Sequence, residues 1–421
     1  MGKTVAEKIL AAKAGLTEVT AGDVVWVDVD KAMMDDILGP RVQIAEQLES
    51  LKMPIRHRER VVVIADHYTP PANARQAEIV KFTRDWSAEQ GIDRYYEFQG
   101  PCHQIMAEQG HVLPGTLILG TDSHTCMGGA LGAFATGVGS TEMVGILATG
   151  KTWLKVPESQ RVEWSGPLPP GVMAKDIALK TIGHIGHAGA TYQAVEFCGS
   201  TFADMPIDQR MAIANMAVEM GAKAGLMSVD ALTEAYLAAQ GIGRDAYTVY
   251  PPDDDAIYVR QLRFAAPALA PQIACPHNVD NVTDIDNVAG TRIDQAYLGS
   301  CTGGRYSDLA AAADLLRGKR IARGVRLLVS PASQQIWQQA SRSGILSQLA
   351  EAGATILAPT CGVCVGLHSG LLAGGENCIS ASNRNFIGRM GSRDANIYLA
   401  SPLSVAAAAL TGSIISPQTL L

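Results

Sequence analysis

Thr116-Leu117-Ile118-Leu119-Gly120-Thr121-Asp122-Ser123-His124-Thr125 runs from a short apolar stretch straight into a polar turn. Apolar and β-branched residues bounded by glycine read as a strand, and Met127-Gly128-Gly129 beyond the turn ends it. The pattern recurs elsewhere. Residues 60–64 read as a strand followed by Asp66-His67, and 23–29 and 325–329 read as further strands. Between them, apolar spacing predicts helices over 41–51, 74–89, 209–222, 307–316 and 333–343. Strands alternating with helices predict α/β layers with parallel pairing. The 42 glycines among 421 residues supply the tight turns such layers need.

A chain of this length predicts two or three domains. Turn-rich residues 157–171, and a proline-marked passage from Tyr250-Pro251-Pro252-Asp253 onward, place boundaries that divide the chain into 1–160, 161–285 and 286–421. No run of 18 apolar residues is present, so no membrane partner is expected. The start, Met1-Gly2-Lys3-Thr4-Val5-Ala6-Glu7-Lys8, lacks the apolar core of a signal peptide, and Ala6 stands where myristoylation needs Ser or Thr. The expectation is a cytoplasmic protein. A net charge of -7 without a basic stripe, and only 5% aromatics, argue against nucleic acid as a partner.

Eight scattered cysteines do not make a disulfide framework. Cys301 lies in Gly299-Ser300-Cys301-Thr302-Gly303-Gly304-Arg305, and a C-x-x-C pair lies in Pro359-Thr360-Cys361-Gly362-Val363-Cys364. One cysteine plus a distant pair gives three thiols. An iron–sulfur cubane held by three leaves one iron open, which suits chemistry more than scaffolding. On spacing alone a redox pair and buried inert thiols remain open beside a metal or cluster site.

Other residues point to proton chemistry. Asp66-His67 and Asp122-Ser123-His124 sit at predicted strand ends, where α/β proteins place ligands. His103 follows Gly100-Pro101-Cys102 in a predicted loop. An acid beside an imidazole fixes its tautomer and raises its basicity. Ser123 as a hydrolase nucleophile is disfavoured, since no G-x-S-x-G elbow surrounds it. Asn215 and Glu219, four apart on a predicted helix, would share one face, with Lys223 continuing it. Arg384 and Arg389 lie in a Gly- and Asn-rich loop, and guanidinium forks bind carboxylates bidentately. The glycines of 128–140 match no phosphate-loop pattern and predict close helix–sheet packing instead.

Together, Gly120-Thr121-Asp122-Ser123-His124-Thr125, the Cys301 segment, the C-x-x-C pair, Ile379-Ser380-Ala381-Ser382-Asn383-Arg384-Asn385-Phe386-Ile387-Gly388-Arg389-Met390-Gly391 and Ala400-Ser401-Pro402 resemble the aconitase superfamily. Within it the chain resembles the large subunits of two-chain hydroxy-acid dehydratases, over nearly its whole length. The resemblance implies three α/β domains around a [4Fe–4S] cluster on Cys301, Cys361 and Cys364, with one open iron. It implies a cavity lined by Asp66, His67, His103, Asp122, His124 and Glu219. Substrate would be bound by Ser123, Asn215, Arg384 and Arg389. It implies a separate small subunit carrying the swivelling fourth domain. The implied reaction dehydrates and rehydrates a 2-hydroxy di- or tricarboxylic acid such as isopropylmalate, on the route to leucine. Homoaconitate, dimethylmalate and citraconate or maleate adducts are the alternatives. A cluster-free binding protein is the alternative from another class. The chain departs from the family pattern at Gly303 (usually Asn), Thr360 (usually Gly), Ala381 (usually Thr) and Leu38 (usually Thr). The residues after His67 are altered too.

Overall fold

The computed structural model describes residues 2–421. The described residues form a mixed α/β protein of four sheets whose chain divides into two compact units. The first comprises Met1–Glu97, Ile105–Ser165 and Ala190–Phe264, and the second Phe98–Gln104, Gly166–Gly189 and Ala265–Leu421. No helix among the described residues is long and apolar enough to cross a membrane.

The first unit is organised by a five-stranded parallel sheet, in the order Tyr95–Glu97, Val61–Ala65, Lys31–Asp35, Leu117–Gly120 and Phe134–Gly137. Val61–Ala65 is apolar throughout and buried at every position, as a central parallel strand covered on both faces should be. A second sheet places Ala224–Met227, Ala194–Cys198 and Ser159–Ser165 in parallel.

The glycines of 128–140 pack as the sequence predicts. A Cβ on Gly129 would lie 2.0 Å from the Gly225 carbonyl oxygen, and one on Gly137 2.9 Å from the Ser123 Cα. Backbone cannot yield as a flexible side chain can. Gly129→Ala is therefore expected to cost about 3 kcal/mol, read as a lower urea midpoint, and an unchanged midpoint would deny this close approach.

The second unit is built on a seven-stranded sheet. Asn396–Ala400, Asn377–Ser380, Gln295–Leu298, Arg326–Val329 and Thr355–Ile356 run parallel, and two antiparallel strands, Gln272–Ala274 and Val282–Asp284, extend one edge. Its core joins Leu298, Leu327 and Val329 to the helices Tyr306–Leu316 and Pro402–Thr411.

Three local expectations need correcting. The helix over 41–51 is regular only from Ala45 to Leu51, because Val42 and Gln43 ahead of it leave helical geometry, Gln43 at φ 67°. The helix over 209–222 runs as Ile207–Asn215 and then tightens to a 3-10 turn, Met216–Met220, closed by Gly221 at φ 83°. The tighter winding removes the shared face predicted for Asn215 and Glu219. His103 stands in the first turn of the helix Cys102–Glu108, not in a loop.

Candidate active site

In the first unit, both Asp–His segments leave the C-terminal ends of neighbouring parallel strands. Asp66 and His67 follow Val61–Ala65, and Asp122 follows Leu117–Gly120. The first loop is shaped by Asp36. Its carboxylate accepts the backbone N–H groups of His67 and Tyr68, each at 2.9 Å. The second is shaped by Asp122, whose Oδ1 accepts the His124 N–H at 2.7 Å and so caps the turn that follows.

These loops bring acids and imidazoles into a continuous series. His67 Nδ1 lies 2.9 Å from Asp66 Oδ1 and 3.3 Å from Asp36 Oδ1. Its Nε2 lies 4.0 Å from Asp122 Oδ2, and Asp122 Oδ1 lies 3.4 Å from His124 Nδ1. His124 Nε2 meets Glu219 Oε1 at 2.8 Å, with Glu219 only 1% exposed. Burial alone would strip His67 of its proton. The Asp66 charge and the hydrogen bonds to Asp36 and Asp66 outweigh it and hold the ring well above its ordinary range. Burial likewise works to raise Asp36, but bonding to His67 prevails and keeps it low. Burial pushes Asp35 up to about 6. The result is a buried imidazolium between carboxylates, followed by a second imidazole oriented by Glu219. Such a series can take up and deliver protons.

Ser123 Oγ is 3.4 Å from His124 Nδ1. Asn215 is fully buried, and its carbonyl accepts from the Cys126 thiol at 3.2 Å. Lys223 leaves that neighbourhood and stacks its ammonium over Tyr192.

The thiols belong to the second unit. Cys301 follows the strand Gln295–Leu298, Cys361 and Cys364 follow Thr355–Ile356, and Asn383 to Arg389 follow Asn377–Ser380. All three loops leave the same ends of parallel strands. Asn383 joins two of them: its Oδ1 accepts from Cys364 Sγ at 3.4 Å, and its Nδ2 lies 3.9 Å from Cys301 Sγ. Thr360 Oγ1 accepts the Gly362 N–H at 3.1 Å, so this threonine braces the C-x-x-C turn. Gly303 is needed where it stands, since a Cβ there would lie 2.3 Å from the Ala381 Cβ. Arg389 Nε donates to the Cys364 carbonyl at 2.9 Å, and the Arg384 guanidinium lies 5.8 Å from the Phe386 ring centre. His103 Nε2 is 3.7 Å from Cys102 Sγ. Three soft thiols, two of them almost fully buried, with an amide between them and an ammonium nearby, form a donor set that fits an iron–sulfur group.

The sequence reading missed Asp35, Asp36 and Lys175. Two adjacent acids directly after the apolar Ala32-Met33-Met34 were the available signal for the first two. Nothing in the chain around Lys175 marks it.

A family model described as the aconitase family (aconitate hydratase) matches residues 7–292 and 286–412. The chain is 46% identical over 423 residues to "3-isopropylmalate dehydratase large subunit 1" of Methanopyrus kandleri, covering 100% of both chains. It is 46% identical over 416 residues to "Probable methanogen homoaconitase large subunit" of Methanothermobacter thermautotrophicus, covering 98% of this chain and 97% of that one. It is 44% identical over 423 residues to "3-isopropylmalate dehydratase large subunit" of Oleidesulfovibrio alaskensis, again over 100% of both.

Proposed function

This chain belongs to the aconitase family, and from that premise we propose that it is the large subunit of a hydro-lyase that isomerises a 2-hydroxy dicarboxylic acid, with isopropylmalate as substrate. The observation that carries the reading is the set of three thiols at like ends of parallel strands, two of them joined by Asn383. In this reading Cys301, Cys361 and Cys364 hold a [4Fe–4S] cluster. The homoaconitase relative is as similar as the first dehydratase relative, so homoaconitate is the alternative substrate. The "large subunit" names support a separate small subunit as partner. Scattered cysteines, none joined to another among the described residues, support a cytoplasmic location.

Eliminating water across two carbons requires removal of a weakly acidic proton and loss of hydroxide. A bound cluster with one open iron supplies a Lewis acid for the departing oxygen. Delivering a proton to that oxygen falls to this chain's own side chains. Glu219 occupies Nε2 of His124 and fixes the ring's orientation, leaving Nδ1 beside Asp122 and Ser123. His67, charged between Asp66 and Asp36, orients Asp122. Arg384 and Arg389 neutralise substrate carboxylates, and His103 and Asn215 contribute polar contacts. No net redox is involved.

The Arg384 guanidinium lies within cation–π range of the Phe386 ring, at 5.8 Å from its centre. Arg384→Lys is expected to lower kcat/KM by about 10²-fold, because a point charge cannot reproduce a planar fork. Kinetics close to wild type would remove Arg384 from substrate binding.

The deciding experiment purifies the chain anaerobically, rebuilds its cluster, and assays it with and without the small subunit against isopropylmalate, homoaconitate and dimethylmalate. Negligible turnover alone and fast turnover of isopropylmalate by the pair are expected. Full activity from the isolated chain would overturn the two-chain reading. A pair inert toward every hydroxy acid would overturn the hydro-lyase.

A further inference from the structure

The helix Ala174–Ile185 sends one side chain among the cysteine loops. Lys175 is 1% exposed, and its Nζ donates to the carbonyls of Ala381 and Ser382 and to Thr302 Oγ1. A neutral amine carries two N–H bonds and an ammonium three, so three acceptors call for the charged form. Thr302 is the neighbour of Cys301, and its hydroxyl donates to the Ala381 carbonyl at 2.9 Å. Ser382 immediately precedes Asn383, the residue that faces both Cys301 and Cys364. A single ammonium thus ties the Cys301 loop to the segment that orients Asn383.

The charge itself needs a partner. Burial pulls the Lys175 proton affinity down to about 7, while negative charge on Cys364, Asp308, Cys301 and Asp176 acts to retain the proton. Asp176 is the next residue but is committed elsewhere. It accepts the backbone N–H groups of Gln272 and Met173, and burial pushes its own carboxyl up to about 7. Asp308 accepts the Arg305 N–H at the start of its helix. The cysteine sulfurs share with Asp308 the negative charge that faces the ammonium, and a cluster bound through three thiolates would add to it. Buried charges persist where they are compensated.

We propose that Lys175 is a positioning residue for the iron–sulfur centre: its ammonium holds the Cys301 and Asn383 loops together and supplies the positive charge that the thiolate-bound centre needs. The inference rests on the cluster reading above. Lys175 acts through Cys301 and Asn383, and takes no part in handling substrate.

The test rebuilds wild type, Lys175→Gln, Lys175→Met and Lys175→Arg anaerobically with iron and sulfide. Three quantities are measured: iron loss to a chelator, the reduction potential of the centre, and thermal unfolding of each apo chain. Lys175→Gln and Lys175→Met are expected to lose iron about 10-fold faster or more, with potentials shifted negative in both, because each lacks the charge. Lys175→Arg is expected to return the potential toward wild type. A purely structural tie would leave the potential of Lys175→Gln unmoved, since the amide can still donate, and that result would overturn the proposal. Lys175→Gln and Lys175→Arg decide the matter even where the Met variant does not fold. If wild type itself takes up no iron, the cluster reading fails first and this inference falls with it.

Discussion

Cys301→Ser is expected to leave a folded chain that retains no iron–sulfur centre and has no measurable turnover with its small subunit. Three thiols are available at the ends of the parallel strands, and a serine hydroxyl is a far weaker partner for iron. Two sulfurs from Cys361 and Cys364 cannot hold a four-iron group with one corner open. The measurement is iron and sulfide per chain after anaerobic rebuilding, with the brown absorbance near about 400 nm as a second reading. Cys378→Ala is the control. That thiol is buried on the strand Asn377–Ser380 itself, not in the loops at the strand ends, and burial pushes it up to about 12. Full iron and sulfide in Cys301→Ser would dismantle the assignment of the three thiols.

Glu219→Gln carries the second large effect. The replacement keeps shape and a hydrogen-bonding oxygen but removes the charge 2.8 Å from His124 Nε2. Positioned acid–base groups contribute about 10²–10⁴-fold to rate, and a loss in that range is expected in kcat, with KM and iron content little changed. Glu219 is buried and belongs to the first unit, while the thiols belong to the second. A variant that lost iron in proportion to activity would show that the carboxylate supports the centre's assembly instead. A variant with normal kcat would free His124 from its proposed role.

Much of this was legible in the chain. Strand 117–120 and the helix Ala74–Glu89 follow directly from apolar periodicity and punctuation by glycine and asparagine. The Asp–His tips were readable because short polar runs after buried strands fall at sheet ends, where a parallel sheet leaves its loops. The pairing of His124 with Glu219 was not readable, since 95 residues separate them and only tertiary packing joins them. The expected helical face shared by Asn215 and Glu219 failed for a local reason. Gly221 in left-handed geometry closes a tighter turn, and that turn, not a continuous helix, places Glu219. Asp36 was hidden because its work is to accept backbone N–H groups 31 and 32 residues away. Lys175 was hidden more deeply: an ordinary lysine in an ordinary helix becomes a bridge only through contacts 127 to 207 residues distant.

The contact between Gly303 and Ala381 has a consequence for how this protein could be altered. The Ala381 methyl leaves no room at Gly303 for even one carbon beyond its backbone. Asparagine at 303 would be forced into the Ala381 methyl. That methyl sits on the segment whose carbonyl Lys175 grips. Every residue but glycine carries that same carbon at 381, so no exchange there short of glycine relieves the clash, and a side chain at 303 is admitted only where the two loops part.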